Sequence, residues 1–244
     1  MEENTKYVNP PLTEAVFELF FTANNWSPIV PGAFYGLVKE KYPIITQASG
    51  GFGISFGHEG VQFGTGNSDL TQFKSSDGSS IIQLSNNLLT VNKLPKYQGW
   101  KSYSEMIIEA VDTLFEVVDI SKVNRLGLRT LNKVDIGTHS YENFKRYFNV
   151  YPVLPTASRQ EINSIQLNYE TPIETNKEVL AVSINTLRKE KGYSAPTFLQ
   201  LYYTRIMDID VMKILPWIEN AHSELYKAFD LSLTSECKKT FNNA

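Results

Sequence analysis

Hydrophobic and polar positions change period several times along this chain, and each change predicts an element. After Pro10-Pro11 the run LTEAVFELFFT alternates and is rich in aromatic and apolar residues, which predicts a first strand over residues 12–22. The two-residue period puts Leu12, Glu14, Val16, Glu18 and Phe20 on one side and Ala15, Phe17, Leu19 and Phe21 on the other. One side therefore carries both carboxylates. A helix is expected from Ser27 or Pro31 and must stop before Pro43, because proline suits the first helical turn while its predecessor avoids helical backbone. Between Gly50 and Leu94 short alternating runs are broken by Asp77-Gly78 and Asn86-Asn87, which predicts an antiparallel meander of four or five strands. Ser102 and Glu105 have capping-box spacing. Tyr103, Ile107, Ala110, Val111, Leu114 and Val118 then recur at helical intervals, so a second helix runs to about Asp119.

The second half begins the pattern again. NRLGLRTLNKVDI reads as a strand, SYENFKRYF as a helix ending before Pro152, and INSIQLNYE, EVLAVSINTLRKE and TFLQLYYTRIMDID as three long strands. A last long helix is expected from Pro216 to Phe229, with Ile218, Ala221, His222, Leu225 and Phe229 on one stripe, and a short turn or helix near Thr234. The order strand, helix, meander, helix thus occurs twice, at an offset of roughly 110 residues and with little residue identity. The fold class this predicts is α+β. Two similar halves, residues 1–120 and 121–244, form one unit of curved antiparallel sheet packed on long helices, since a one-sided sheet must bury its apolar face on something.

Composition narrows the classes. The chain has 244 residues, 42% hydrophobic and 12% aromatic, which is enough to bury a core and excludes a disordered protein. The purely apolar runs fall well short of the ~18 residues of a bilayer span, and MEENTKYVNPP lacks the basic and apolar regions of a secretory signal, so a cytoplasmic protein is expected. Cys237 alone cannot form an internal disulfide, and with His58, His139 and His222 dispersed no zinc framework is expected. No cofactor is expected. A net charge of −3 argues against a dedicated nucleic-acid binder and leaves a local basic patch as the alternative.

Four charges form the most suggestive constellation. Glu14 and Glu18 are four apart on the first strand, and Arg125 and Arg129 are four apart on the opening strand of the second half. If those strands pair antiparallel, the arginines face the carboxylates across the ladder, either as an ion-pair lattice joining the halves or as a site where the arginines bind an anion and Glu18 acts as base. The lattice is the blander and favoured reading. Asp208 and Asp210 sit two apart at a strand end and are candidates for a divalent cation, although they lack further ligands and equally suit a strand end and helix cap. His222, on an apolar stripe with no nucleophile to serve, reads as a core histidine bonded to backbone. No catalytic residue is assigned. The glycine-rich SGGFGISFGHEG opens a meander rather than a helix and so makes a poor phosphate cradle. Arg188, Lys189, Glu190 and Lys191 read as a hairpin tip, and Lys238-Lys239 as a solvated basic pair near the C terminus.

The stretches NPPLTEAVFEL (9–19), FKSSDGSSIIQLSNNLLTVNKLPKYQGW (73–100), RLGLRTLNK (125–133), IMDID (206–210) and AHSELYKAFDLSLT (221–234) span the chain. With them the sequence resembles a sporadically distributed, uncharacterised bacterial and archaeal family whose most specific mark is the opening Pro-Pro-Leu-x-Glu-Ala-Val-Phe-Glu. The resemblance implies no established activity. The family's patchy occurrence implies an accessory gene, of the kind carried in mobile or defence loci. The leading functional expectation is a non-enzymatic interaction or assembly protein, with a protein partner or a homo-oligomer, because catalytic motifs are missing and long sheet-forming segments leave edges to cover. The alternatives are a small-ligand binder or metal-dependent enzyme using a sheet concavity, and a nucleic-acid-binding accessory.

Overall fold

Leu12–Ala23 forms β1, and its period-two pattern gives it two unlike faces. In this computed structural model the described residues are 7–48, 52–57, 60–65, 70–95, 97–152, 162–173, 177–186 and 196–242, without the side chains of 48, 52–57, 60–65 and 207–209. Helix α1 (Val30–Val38) follows, with Pro31 in its first turn and Val30, Phe34 and Val38 buried at four-residue spacing. The strands β2 (Ile44–Ala48), β3 (Phe52–Gly57), β4 (Gly60–Thr65), β5 (Leu70–Lys74), β6 (Ser80–Ser85) and β7 (Leu88–Lys93) precede α2 (Trp100–Val117). The second half runs β8 (Ile120–Val134), α3 (Tyr141–Tyr147), β9 (Gln166–Ile173), β10 (Glu178–Thr186), β11 (Thr197–Ile209), a 3-10 turn at Val211–Lys213, α4 (Ile214–Ser232) and α5 (Ser235–Thr240).

The chain is α+β, and among the described residues its main sheet has nine strands in the order β2-β5-β6-β7-β1-β8-β11-β10-β9, every neighbouring pair antiparallel. The opening strands β1 and β8 lie side by side at its centre, so the sheet crosses the boundary between the halves at residue 120. Outward from that centre the orders are β1-β7-β6-β5-β2 on one side and β8-β11-β10-β9 on the other. Ala15, Phe17, Leu19 and Phe21 face the apolar core together with Leu126, Leu128, Leu201 and Tyr203, and the buried stripes of α1, α2 and α4 join the same cluster. Helix α2 contacts β7 and α4 contacts β11 and β8. Tyr103 of α2 donates its hydroxyl hydrogen to the Val91 carbonyl at 2.8 Å, and Trp217 of α4 packs on Tyr203 with ring centroids 5.9 Å apart.

Several expectations need revision. β2 lies upstream of the expected meander and β3 with β4 forms a separate two-stranded sheet. The Asp77-Gly78 turn is as expected, with Gly78 at φ 69° and the Asp77 carboxylate accepting from Ser75 Oγ and the Ser79 N–H, which holds its pKa below the usual carboxylate range. The Ser102–Glu105 capping box does not form. Helix α2 starts three residues earlier, after Gly99 at φ 111°, so Ser102 sits inside it and donates to Gln98 at 3.4 Å. Where a capping pattern is genuine, at α3, Ser140 Oγ accepts from the Asn143 N–H at 3.2 Å.

Candidate functional site

Opposite the apolar core, the central strands present a polar face. Glu14, Val16 and Glu18 of β1 lie there with Thr90 and Asn92 of β7, Arg125, Gly127 and Arg129 of β8, and Tyr202 of β11. Glu18 is 1% exposed and Glu14 4%, so both carboxyl groups need partners within the sheet. Glu18 accepts from the Tyr202 hydroxyl at 2.5 Å and lies 3.7 Å from an Arg125 terminal nitrogen. Glu14 accepts from the Asn92 side-chain amide at 2.8 Å, and Asn92 in turn accepts from the Thr90 hydroxyl at 2.9 Å. The register differs in detail from the expected facing of arginine and carboxylate. Gly127 stands directly opposite Glu18, and Arg129 opposite Val16. Each arginine lies one diagonal step from its carboxylate, so at 3.7 Å the contact is an ion pair rather than a two-pronged fork.

The need for a glycine at position 127 is steric. A Cβ there would meet Tyr202 Cε2 at 2.8 Å, and both the Tyr202 hydroxyl and Glu18 Oε2 at 2.9 Å. The glycine leaves room for the tyrosine to cross β8 and reach β1. Burial first, and the Glu18 charge second, raise the pKa of Tyr202, keeping it a neutral donor. Burial likewise raises the pKa of Glu14, while the Asn92 hydrogen bond and the Arg129 charge pull it down. Arg125 closes the outer side by stacking over Phe20, its guanidinium carbon 3.9 Å from the ring centre. This is an internal polar layer in which Glu18 is held by Tyr202 and Arg125 and Glu14 by Asn92, while Glu14 Oε2 and Arg125 Nε are buried without a hydrogen-bond partner among the described residues.

The remaining candidates separate. Asp210 follows β11 and caps the 3-10 turn, its carboxylate accepting from the Met212 N–H at 3.1 Å, while the side chain of Asp208 lies outside the described residues. Among the described residues no group of three or more His, Cys, Asp or Glu side chains is placed to hold a metal ion. Among the described residues His222 makes no hydrogen bond to backbone; its imidazole stacks on Trp100, centroids 3.9 Å apart and planes within 6°. The run 188–191 lies outside the described residues, as do the side chains of the glycine-rich segment around 52–60. Lys238 is tied to Asp230 by a 2.6 Å ion pair. Among the described residues no helix is long and apolar enough to cross a membrane. Asn92, Gly127 and Tyr202 escaped the sequence reading of this layer because their partners lie on other strands; the signal available was polar residues at inward positions of apolar strands.

A second feature lies at the rim of the sheet. β2 is an end strand whose inner side is fully paired with β5, reinforced by Thr46 Oγ1 to Gln72 at 3.2 Å and Gln47 to Thr71 at 3.1 Å. Its outer side has no strand partner among the described residues. Ile44 and Ile45 are 44% and 43% exposed, with no charge or proline between Ile44 and Ala48, and Leu37 of α1 is exposed as well. Tyr35 of α1 donates to the Pro43 carbonyl at 3.2 Å, tying the helix to the start of β2. The other end strand, β9, carries exposed Glu170 and Pro172, residues that discourage further pairing. No protein-family model and no curated protein matches the sequence.

Proposed function

We propose that this chain is a non-enzymatic interaction protein that takes up an extended segment of a partner as an additional strand along β2. The observation that carries this reading is the contrast between the two ends of the sheet: β9 is guarded, whereas β2 presents an unguarded apolar edge. An open edge offers alternating N–H and C=O groups that another extended backbone satisfies, and side chains on either face add specificity. Because neighbouring strand residues point to opposite faces, Ile44 and Ile45 would grip the incoming strand from both sides. The matching partner segment is extended, alternates apolar residues and is free of proline. The buried Glu–Arg–Tyr layer supports the reading indirectly, since its acids and bases serve the centre of the sheet. Membership of the sporadically distributed family that the PPLTEAVFE opening resembles, and with it an accessory role in mobile or defence loci, belongs to the same proposal. The test is selection from a displayed random-peptide library. Enriched sequences should alternate apolar residues and lose binding to the Ile44→Lys/Ile45→Lys protein. Peptides that bind this variant as well as the wild type would overturn the reading, and a concentration-dependent dimer abolished by the same variant would assign the edge to a second copy.

We also infer that the two halves descend from a duplication. The outward order of the first four strands on each side, with β2 as an extra strand on one, supports this, as do Tyr103 against β7 in one half and Trp217 against β11 in the other. At the offset of roughly 110 residues along the sequence, Glu14 and Glu18 correspond to Arg125 and Arg129. Opposite charges at equivalent positions make the junction self-neutralising.

A further inference from the structure

On the core side of the sheet, away from β2, a cleft of about 160 Å³ opens between the N-terminal segment, β8 and α4. Its walls include Tyr7, Tyr226 and Phe229, its floor is formed by Thr130 and Asn132, and His222 reaches it from α4. The segment before β1 is anchored there by Asn9 N–H to the Phe241 carbonyl at 2.8 Å and by the edge-on contact of Tyr7 with Phe241. The floor is held as well, for Asn132 donates to the Leu199 carbonyl at 3.2 Å. The histidine is fixed from behind by its stack on Trp100, whose indole N–H donates to Glu219 at 2.9 Å. Among the described residues neither imidazole nitrogen has a hydrogen-bond partner, so a donor and an acceptor remain for a guest.

We propose that this cleft is a binding site for a small, neutral, planar molecule: one aromatic or heteroaromatic ring bearing an amide-like or hydroxyl edge that hydrogen-bonds His222. Size supports a single ring, since a cavity of about 150 Å³ with apolar walls accommodates benzene. Charge supports neutrality. The described residues lining the cleft carry no formal charge at neutral pH, and Asp230 at the end of α4, the carboxylate whose charge reaches Tyr7, is ion-paired with Lys238 of α5. An anion would find no countercharge, and a cation is disfavoured where burial already drives the proton off His222, lowering its pKa to about 4 in spite of Glu219. Aromatic walls provide stacking and edge contacts, and the imidazole sets orientation.

Benzamide is the probe, with benzoate and tetramethylammonium as charged counterparts, each titrated into the full-length protein by calorimetry. Benzamide should bind saturably and more tightly than either ion, and intermolecular nuclear Overhauser effects should connect its ring protons to those of His222 in the wild-type protein. His222→Leu preserves bulk and removes both nitrogens; it should weaken benzamide roughly tenfold while leaving toluene binding unchanged. Tighter binding of either ion, absence of the His222 contacts, or unchanged benzamide affinity in His222→Leu would each overturn the proposal. The wild-type contacts decide it even if the variant does not fold.

Discussion

Gly127 is the residue on which the polar layer turns. Any side chain there must displace either Tyr202 or Glu18, so Gly127→Ala should destabilise by about 1–3 kcal/mol through overpacking, read from urea unfolding midpoints. Tyr202→Phe leaves Glu18 buried without its closest donor and should lower stability by about 1.5–3 kcal/mol. Arg129→Ala should lose on the order of 3 kcal/mol where Glu14 is ionised and less where Glu14 is protonated, because the uncompensated charge then disappears. pH separates two buried groups by sign. His222 titrates near 4 when folded and near 6.5 when free, so between those values the unfolded chain binds a proton that the folded one refuses. Stability should therefore fall on acidification through that window by on the order of 2 kcal/mol, and His222→Leu should remove that slope. Glu14 acts oppositely. Its raised pKa gives a contribution that is complete below the ordinary carboxylate range and is lost as pH rises through the raised value, a loss that Glu14→Gln should abolish. Melting curves across pH 4 to 8 for the wild type and both variants check both signs.

Elements were legible where one period ran long enough to dominate. β1, β8, α2 and α4 follow directly from their apolar spacing, and Asp77-Gly78 marks its hairpin through local turn chemistry. What the pattern could not show was set by distant partners. Ser102 and Glu105 match a cap, yet the helix begins earlier because Gly99 turns the chain ahead of Trp100. β2 is short and follows Pro43, so its period has no length in which to declare itself, and the detachment of β3–β4 from the main sheet has no local mark. The same limit applied to the polar layer: four of its charges were visible as spacing on two strands, while Tyr202 and Asn92 join only through pairing. Caps provide a comparison within one protein. Ser140→Ala removes a bonded cap and should lose about 1 kcal/mol, whereas Ser102→Ala should change stability by a few tenths at most. Equal losses in the two variants, measured by thermal unfolding, would contradict the assigned start of α2.

At the scale of the whole molecule the nine-stranded sheet is continuous across the join, with β1 and β8 buried against each other at its centre. Either half alone would expose a central strand bearing buried-type charges, so fragments 1–120 and 121–244 should fold poorly apart and reassemble when co-expressed, as judged by co-purification and amide dispersion in NMR spectra. Stability is thus concentrated at the middle of the sheet, and the two ends are left with unlike surfaces. β9 carries guards against pairing, whereas β2, held by α1 through Tyr35 and by β5 through its inner ladder, is presented ready-made to an extended segment. The most direct measurement is backbone amide hydrogen exchange of the protein with and without a peptide selected for binding. Strand addition predicts that outward-facing amides within Ile44–Ala48 slow by at least about tenfold, as a newly formed ladder requires. Protection confined to β9 or to the α4 cleft, with the β2 amides unchanged, would contradict it.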